Sequence, residues 1–241
     1  SEMCIRDSSY TADDLKTFFG KTDISTLLLI NPDNPSGNYI HIEDVLQLAE
    51  WCREHKIKII IDESFVDFTT GYTNNSLLHN QILEAYPNLM VMKSISKSYG
   101  VPGLRLGVFA SSNRDLIAAM KKEVAIWNIN SFAEFYLQIF GKYEKNYYEA
   151  CEKFIEERER FFTELQTIPF IRVVPSQANY FLCEVVDKFT SAELTQIMLE
   201  RFNILIKDCG TKSAFGHRNY IRIAVRDKMD NQKLVAILKA L

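Results

Sequence analysis

Apolar positions along this chain follow two patterns. TLLLI (26–30), IKIII (57–61), LMVM (89–92) and much of LRLGVFA (104–110) are short runs without alternation. Runs of that kind, bounded by turn residues, read as strands of a parallel sheet buried on both faces. Between the first two, IHIEDVLQLAEWCREH places Ile42, Val45, Leu46, Ala49 and Cys52 at helical spacing with charges on the other side. The strand–helix–strand rhythm predicts an α/β fold, a mostly parallel sheet flanked by helices. Beyond about residue 123 the pattern lengthens. VAIWNINSFAEFYLQIF through CEKFIEERERFFTELQ reads as long helices, with Trp127 and the aromatics from Phe132 to Phe140 expected to pack. IRVV, ANYFLCEV, NILIK and YIRIAV then read as strands interleaved with the helices SAELTQIMLERF and NQKLVAILKAL. This predicts a large domain over 9–122, connecting helices over 123–165, and a smaller α+β C-terminal domain over 166–241. The opening SEMCIRDS (1–8) has no readable periodicity and is set aside as a non-native leader.

Composition changes this picture only by exclusion. The 241 residues carry a net charge of −3 and no basic stripe, which removes the electrostatic case for nucleic acid. The apolar runs fall well short of the ~20 residues that cross a bilayer, so no membrane partner is expected. The five cysteines are widely spaced without a C-x-x-C pair, and the four histidines are scattered. No metal site or disulfide framework is expected, and a reducing, cytoplasmic setting fits. No G-x-G-x-x-G follows the first strand, which argues against a dinucleotide-binding domain.

Chemistry gathers where the predicted strands end, the edge at which α/β sheets bind ligands. NPDNPSG follows the first strand, DES the second, and SISKSYGVPGLRLG overlaps the end of the third. Taken singly, Lys97 reads as a solvated loop lysine and Asp62 as the cap of a following turn. Together with their neighbours they describe something else. Asp62 can pair with a cationic ring nitrogen. Lys97, in a glycine-rich turn, can form a Schiff base with an aldehyde. Ser94, Ser96 and Arg105 suit a phosphate, and the Asn34 amide can bond a ring hydroxyl. Ring nitrogen, aldehyde, hydroxyl and phosphate are the parts of pyridoxal 5'-phosphate.

In that order and at those separations, NPDNPSG, IIIDESFVDF and SISKSYGVPGLRLG resemble the fold-type-I aminotransferases of class I/II. Within them the chain is most similar to the branch of histidinol-phosphate aminotransferase and threonine-phosphate decarboxylase, from about Ser9 to the C-terminus. The resemblance implies that Lys97 is the catalytic residue, holding the cofactor and later moving the substrate proton. It implies that Asp62 keeps the pyridine nitrogen protonated, that Asn34 bonds the 3-hydroxyl, and that Ser94, Arg105 and Ser96 hold the phosphate. In YIRIAV it points to Arg222 as the clamp on the substrate carboxylate, with Arg226 as a rival, and in SQANYF to Asn179 as a lining residue. Lys207, in NILIKDC, offers a contact for a phosphorylated substrate. The reaction implied first is amino transfer between a small amino acid and a 2-oxo acid. Decarboxylation in the manner of threonine-phosphate decarboxylase is the alternative, and a catalytically silent scaffold the third reading.

Two departures stand out. The family commonly places tyrosine where this chain has Phe65, whose ring has no hydroxyl to bond the cofactor. The family's upstream half-domain, with a phosphate-binding helix N-terminus and a ring-stacking aromatic, has no counterpart before Ser9. The expectation is therefore an N-terminally truncated piece of a homodimeric enzyme, weak in cofactor binding by itself.

Overall fold

The structure, a computed structural model, describes residues 9–210, 215 and 218–241. The leader expected over residues 1–8 lies outside them. Contacts divide the chain into two units that are not contiguous in sequence. Among the described residues, one holds 11–32 and 40–152; the other holds 9–10, 33–39, 153–210, 215 and 218–241.

The first unit is built on a four-stranded sheet. β1 (Thr26–Ile30), β2 (Lys58–Asp62) and β3 (Leu89–Ser94) are parallel neighbours in that order, and β4 (Gly107–Ala110) joins β3 antiparallel. Parallel neighbours need a crossover. α2 (Ile42–Glu54) supplies the first, turning Val45, Leu48, Ala49 and Cys52 inward, and α3 (Asn80–Ala85) lies in the second. α1 (Ala12–Phe19) opens on a capping box between Thr11 and Asp14 and packs on α2. The connection from β3 to β4, residues 95–106, contains a single 3-10 turn and no crossover helix, which is why β4 returns antiparallel. LRLGVFA is thus strand only from Gly107, after Arg105 takes a left-handed conformation (φ 56°).

Burial corrects the expectation of a sheet covered on both faces. Leu27, Leu29, Ile59, Ile61, Leu89 and Val91 are buried on one face. On the other, Met90 is buried, but Leu28 is 57% exposed, Met92 is exposed, and Ile30 and Ile60 are half-buried. A continuous apolar run records that both faces can be packed; whether they are depends on helices supplied from elsewhere.

The long helical stretch is also shorter than expected. Residues 124–130 are not helical, and α5 (Ser131–Phe140) starts where the Asn130 side chain accepts from Ala133 N at 2.9 Å. Asn130 is spent on capping, and its amide also ties the loop to Leu104 O at 3.0 Å. α5 packs one face, Ala133 and Tyr136, against Ile95 and Leu106. Phe140 stacks near Tyr99. The expectation that these aromatics pack fails on the other face of α5, where Phe132 is 80% exposed and Phe135 exposed, and before the helix, where Trp127 is 91% exposed.

α4 (Arg114–Glu123) precedes that stretch, and α6 (Glu144–Leu165) follows it. The second unit carries an antiparallel sheet in the order β5-β6-β8-β7, from β5 (Ile171–Val173), β6 (Tyr180–Val185), β7 (Lys207–Asp208) and β8 (Tyr220–Ala224). α7 (Ser191–Phe202) and α8 (Lys228–Ala240) complete it, each with a side-chain N-cap, Thr190 and Asp227. Phe161, Leu165, Phe181, Leu194, Ile221 and Leu238 form its core. NILIK is strand only at its last residue: Asn203 closes α7 in a left-handed conformation, and residues 204–206 run without ladder pairing.

Candidate active site

Asp62, Ser94, Ser96, Lys97 and Arg105 lie in the first unit, and Asn34, Asn179 and Arg222 in the second. Asp62 is the last residue of β2, in register with Met92 and Ile30. Its Oδ1 accepts from Ser64 N at 2.9 Å and from Ser64 Oγ at 2.5 Å. Ser64 Oγ in turn accepts from Ser94 N at 3.0 Å, so one hydroxyl joins the ends of β2 and β3. Ser64 was not singled out from the sequence, although its place two residues after a strand-end aspartate is the signal of a side-chain turn.

Ser94 begins the turn that presents Lys97. Ser96 N approaches Ser94 Oγ at 3.4 Å, Tyr99 N donates to Ile95 O, and Gly100, at φ 66°, closes on Lys97 O. Lys97 is exposed, and its Nζ stands 4.5 Å from the centroid of the buried Phe65 ring. Arg105 is exposed near the far end of the turn, its guanidinium on Pro102 O at 3.3 Å. Tyr99 backs the turn by stacking on Tyr147 at 4.3 Å, and burial raises its phenol to about 12.

Behind these groups lies a buried set of charges. Lys93 Nζ and Asp67 Oδ1 are 2.7 Å apart, both buried. Glu63, 2% exposed, accepts from Leu77 N at 2.6 Å and Ser76 Oγ at 2.7 Å. Burial lifts its carboxyl to about 7 against the pull of those donors and of Lys93. Nothing in the sequence singles out Glu63 within DES, because burial depends on what folds over it.

In the second unit the NPDNPSG turn is held from several sides. Asp33 Oδ2 accepts from Ser36 N at 3.1 Å and Ser36 Oγ at 2.6 Å, and Tyr180 Oη donates to Asp33 O at 2.8 Å. Gly37, at φ 76°, lies so close to Ser176 that a Cβ there would come within 1.9 Å of its Oγ. Arg222 Nη1 donates to Asn34 Oδ1 at 2.8 Å, and its guanidinium lies 4.9 Å from the centroid of the Tyr180 ring. That contact leaves the Asn34 amide nitrogen as the donor, the polarity a ring phenolate requires. Arg222 and Lys207 are directly opposite each other across the β7–β8 pair. The rival Arg226 is exposed and bonded to Asp230 at 2.6 Å. Asn179 contributes its carbonyl to Val225 N at 3.0 Å.

The profile of the aminotransferase class I and II family matches residues 6–241. The chain belongs to this family. It is 32% identical over 238 residues to the L-serine phosphate decarboxylase of Sulfurospirillum multivorans, covering 98% of this chain and 60% of that protein. A histidinol-phosphate aminotransferase of Flavobacterium psychrophilum is 32% identical over 217 residues, 89% of this chain and 58% of that protein. Among solved structures, a decarboxylase from Sulfurospirillum multivorans superposes with a TM-score of 0.87 at 32% identity, over 97% of this chain and 60% of that one. The chain thus spans between 35% and 60% of the length of curated relatives such as these. Family members of this fold work with pyridoxal phosphate.

The residues present fit that cofactor. Asp62 has one oxygen fully engaged and a second with no bonded partner among the described residues, as a ring nitrogen requires. Lys97 offers an exposed amine, and Ser94, Ser96 and Arg105 stand on the same turn. No group of three His, Cys, Asp or Glu among the described residues could hold a metal, and no described helix is long and apolar enough to cross a membrane.

Proposed function

We propose that this chain carries the lysine-bearing part of a pyridoxal-phosphate enzyme that decarboxylates a small phosphorylated amino acid. This reading stands ahead of the amino transfer that the sequence reading puts first. The observation that carries it is the 32% identity to an L-serine phosphate decarboxylase over 98% of this chain. Decarboxylation needs a proton donor: the Cα–carboxylate bond breaks, carbon dioxide leaves, and Cα must gain a proton. Amino transfer needs the Lys97 nitrogen first as a base, to take the Cα proton away. Bound pyridoxal phosphate supplies the electron sink for the pair left at Cα.

The remaining residues have roles consistent with this. Asp62 would accept a hydrogen bond from the ring nitrogen through its open oxygen, and the Asn34 amide would donate to the ring 3-oxygen. Ser94, Ser96 and Arg105 would hold the cofactor phosphate. Arg222 forks onto the substrate carboxylate. Support for a phosphorylated substrate comes from Lys207 opposite Arg222. Like charges placed across a ladder repel, and a substrate with two anionic ends relieves that repulsion. Relatives with phosphorylated amino acids in their names point the same way.

The complete enzyme of which this chain is the lysine-bearing part, incubated with pyridoxal phosphate and O-phospho-L-serine or O-phospho-L-threonine, should release carbon dioxide and the matching phosphorylated amine. With 2-oxoglutarate added, glutamate should form at less than a tenth of that rate. Dominant glutamate formation would return the reading to amino transfer. Borohydride should fix the cofactor on Lys97, and label on Lys93 or Lys207 instead would overturn the assignment of the lysine.

A further inference from the structure

We propose that Ser64 is a positioning residue for Asp62, and that it ties the acid at the end of β2 to the lysine-bearing turn. The inference rests on Asp62 meeting the cofactor's ring nitrogen, and concerns how this chain aims that carboxylate. A carboxylate at a strand end can rotate about its Cβ–Cγ bond, which spreads its lone pairs over several directions. Here one oxygen is taken twice, by Ser64 N at 2.9 Å and Ser64 Oγ at 2.5 Å. The rotation is thereby fixed, and only Oδ2 remains to receive a donor.

The Ser64 hydroxyl is itself fixed. It is 5% exposed, gives its proton to Asp62, and accepts from Ser94 N at 3.0 Å. Ser94 N belongs to the first residue of the turn that carries Ser96 and Lys97. Asp62 Oδ1, Ser64 Oγ and Ser94 N therefore form one line of bonds across the two strand ends. A ligand whose ring nitrogen meets Asp62 while its other groups meet the turn engages both ends of that line. Alanine at 64 would keep the backbone bond to Oδ1, free the carboxylate to rotate, and leave Ser94 N without its acceptor.

The test is a double-mutant cycle read by cofactor binding. Dissociation constants are measured by absorbance for the unsubstituted chain, Ser64→Ala, Asp62→Ala and the double variant. Each is measured with pyridoxal phosphate and with its 1-deaza analogue, which has no ring nitrogen. Ser64→Ala should weaken pyridoxal phosphate about tenfold, equivalent to about 1.4 kcal/mol. It should leave the deaza analogue within about twofold and add nothing once Asp62 is alanine. Equal losses for both compounds, or additive losses, would reduce Ser64 to a strand-end staple and overturn the proposal. Binding of neither compound by the unsubstituted chain, a piece expected to bind the cofactor weakly, moves the test of Ser64 to a second measurement. The coupling is then read from urea unfolding of the same four proteins, where additivity of the two substitutions overturns the Ser64–Asp62 link.

Discussion

Glu63 gives the sharpest test of how burial acts in this chain. It lies 2% exposed behind Asp62, and burial lifts its carboxyl from 4.5 to about 7. A carboxyl raised in the folded state binds its proton more tightly there than in the unfolded chain. Stability contributed by this group is therefore complete at low pH and declines as pH rises from about 4.5 through about 7. The span of about 2.5 pH units corresponds to roughly 3 kcal/mol at 1.36 kcal/mol per unit. Glu63→Gln removes the ionisation and keeps an oxygen for Leu77 N, but gives up the carboxylate's acceptor for Ser76 Oγ. That lost bond costs about 1 kcal/mol. The variant should be less stable than the parent by about 1 kcal/mol near pH 4.5 and more stable by about 2 kcal/mol near pH 8, with the sign reversing between. Urea unfolding followed by tryptophan fluorescence reads it directly, because Trp51 and Trp127 both belong to the unit that contains Glu63. A difference that stays constant from pH 4.5 to 8 would refute the reasoning, since only a titrating Glu63 can tilt it.

Two further outcomes follow from ions the fold holds in place. Lys93→Met should destabilise by about 3–5 kcal/mol, because it leaves the buried Asp67 without its partner at 2.7 Å. The double variant Lys93→Met/Asp67→Leu should recover most of that in thermal unfolding; no recovery would mean that Lys93 acts by packing alone. Arg222→Lys should weaken amino-acid binding by about ten- to a hundredfold while retaining cofactor absorbance, because an ammonium cannot fork onto a carboxylate. Arg226→Lys should be silent in the same titration, since Arg226 is exposed and spent on Asp230; the reverse result would move the clamp to Arg226.

The sequence by itself determined what is local. Asn-Pro and Gly-rich turns, a helix with apolar residues three and four apart, and runs such as IKIII mark where elements lie, though LRLGVFA and NILIK show that their ends are not local properties. The order of three motifs around Asn34, Asp62 and Lys97 was likewise enough to mark the family, since residue type and spacing are properties of the chain itself. Tertiary structure decided what depends on residues distant in sequence. The line from Asp62 through Ser64 to Ser94 forms only because parallel pairing of β2 and β3 brings residues thirty apart together. Lys97 meets Phe65, and Lys207 meets Arg222, by strand placement and register that no local pattern encodes. The same holds for burial. TLLLI reads as a strand packed on both sides, yet Leu28 is exposed, because an apolar side chain states its preference for cover and only other parts of a fold can provide it.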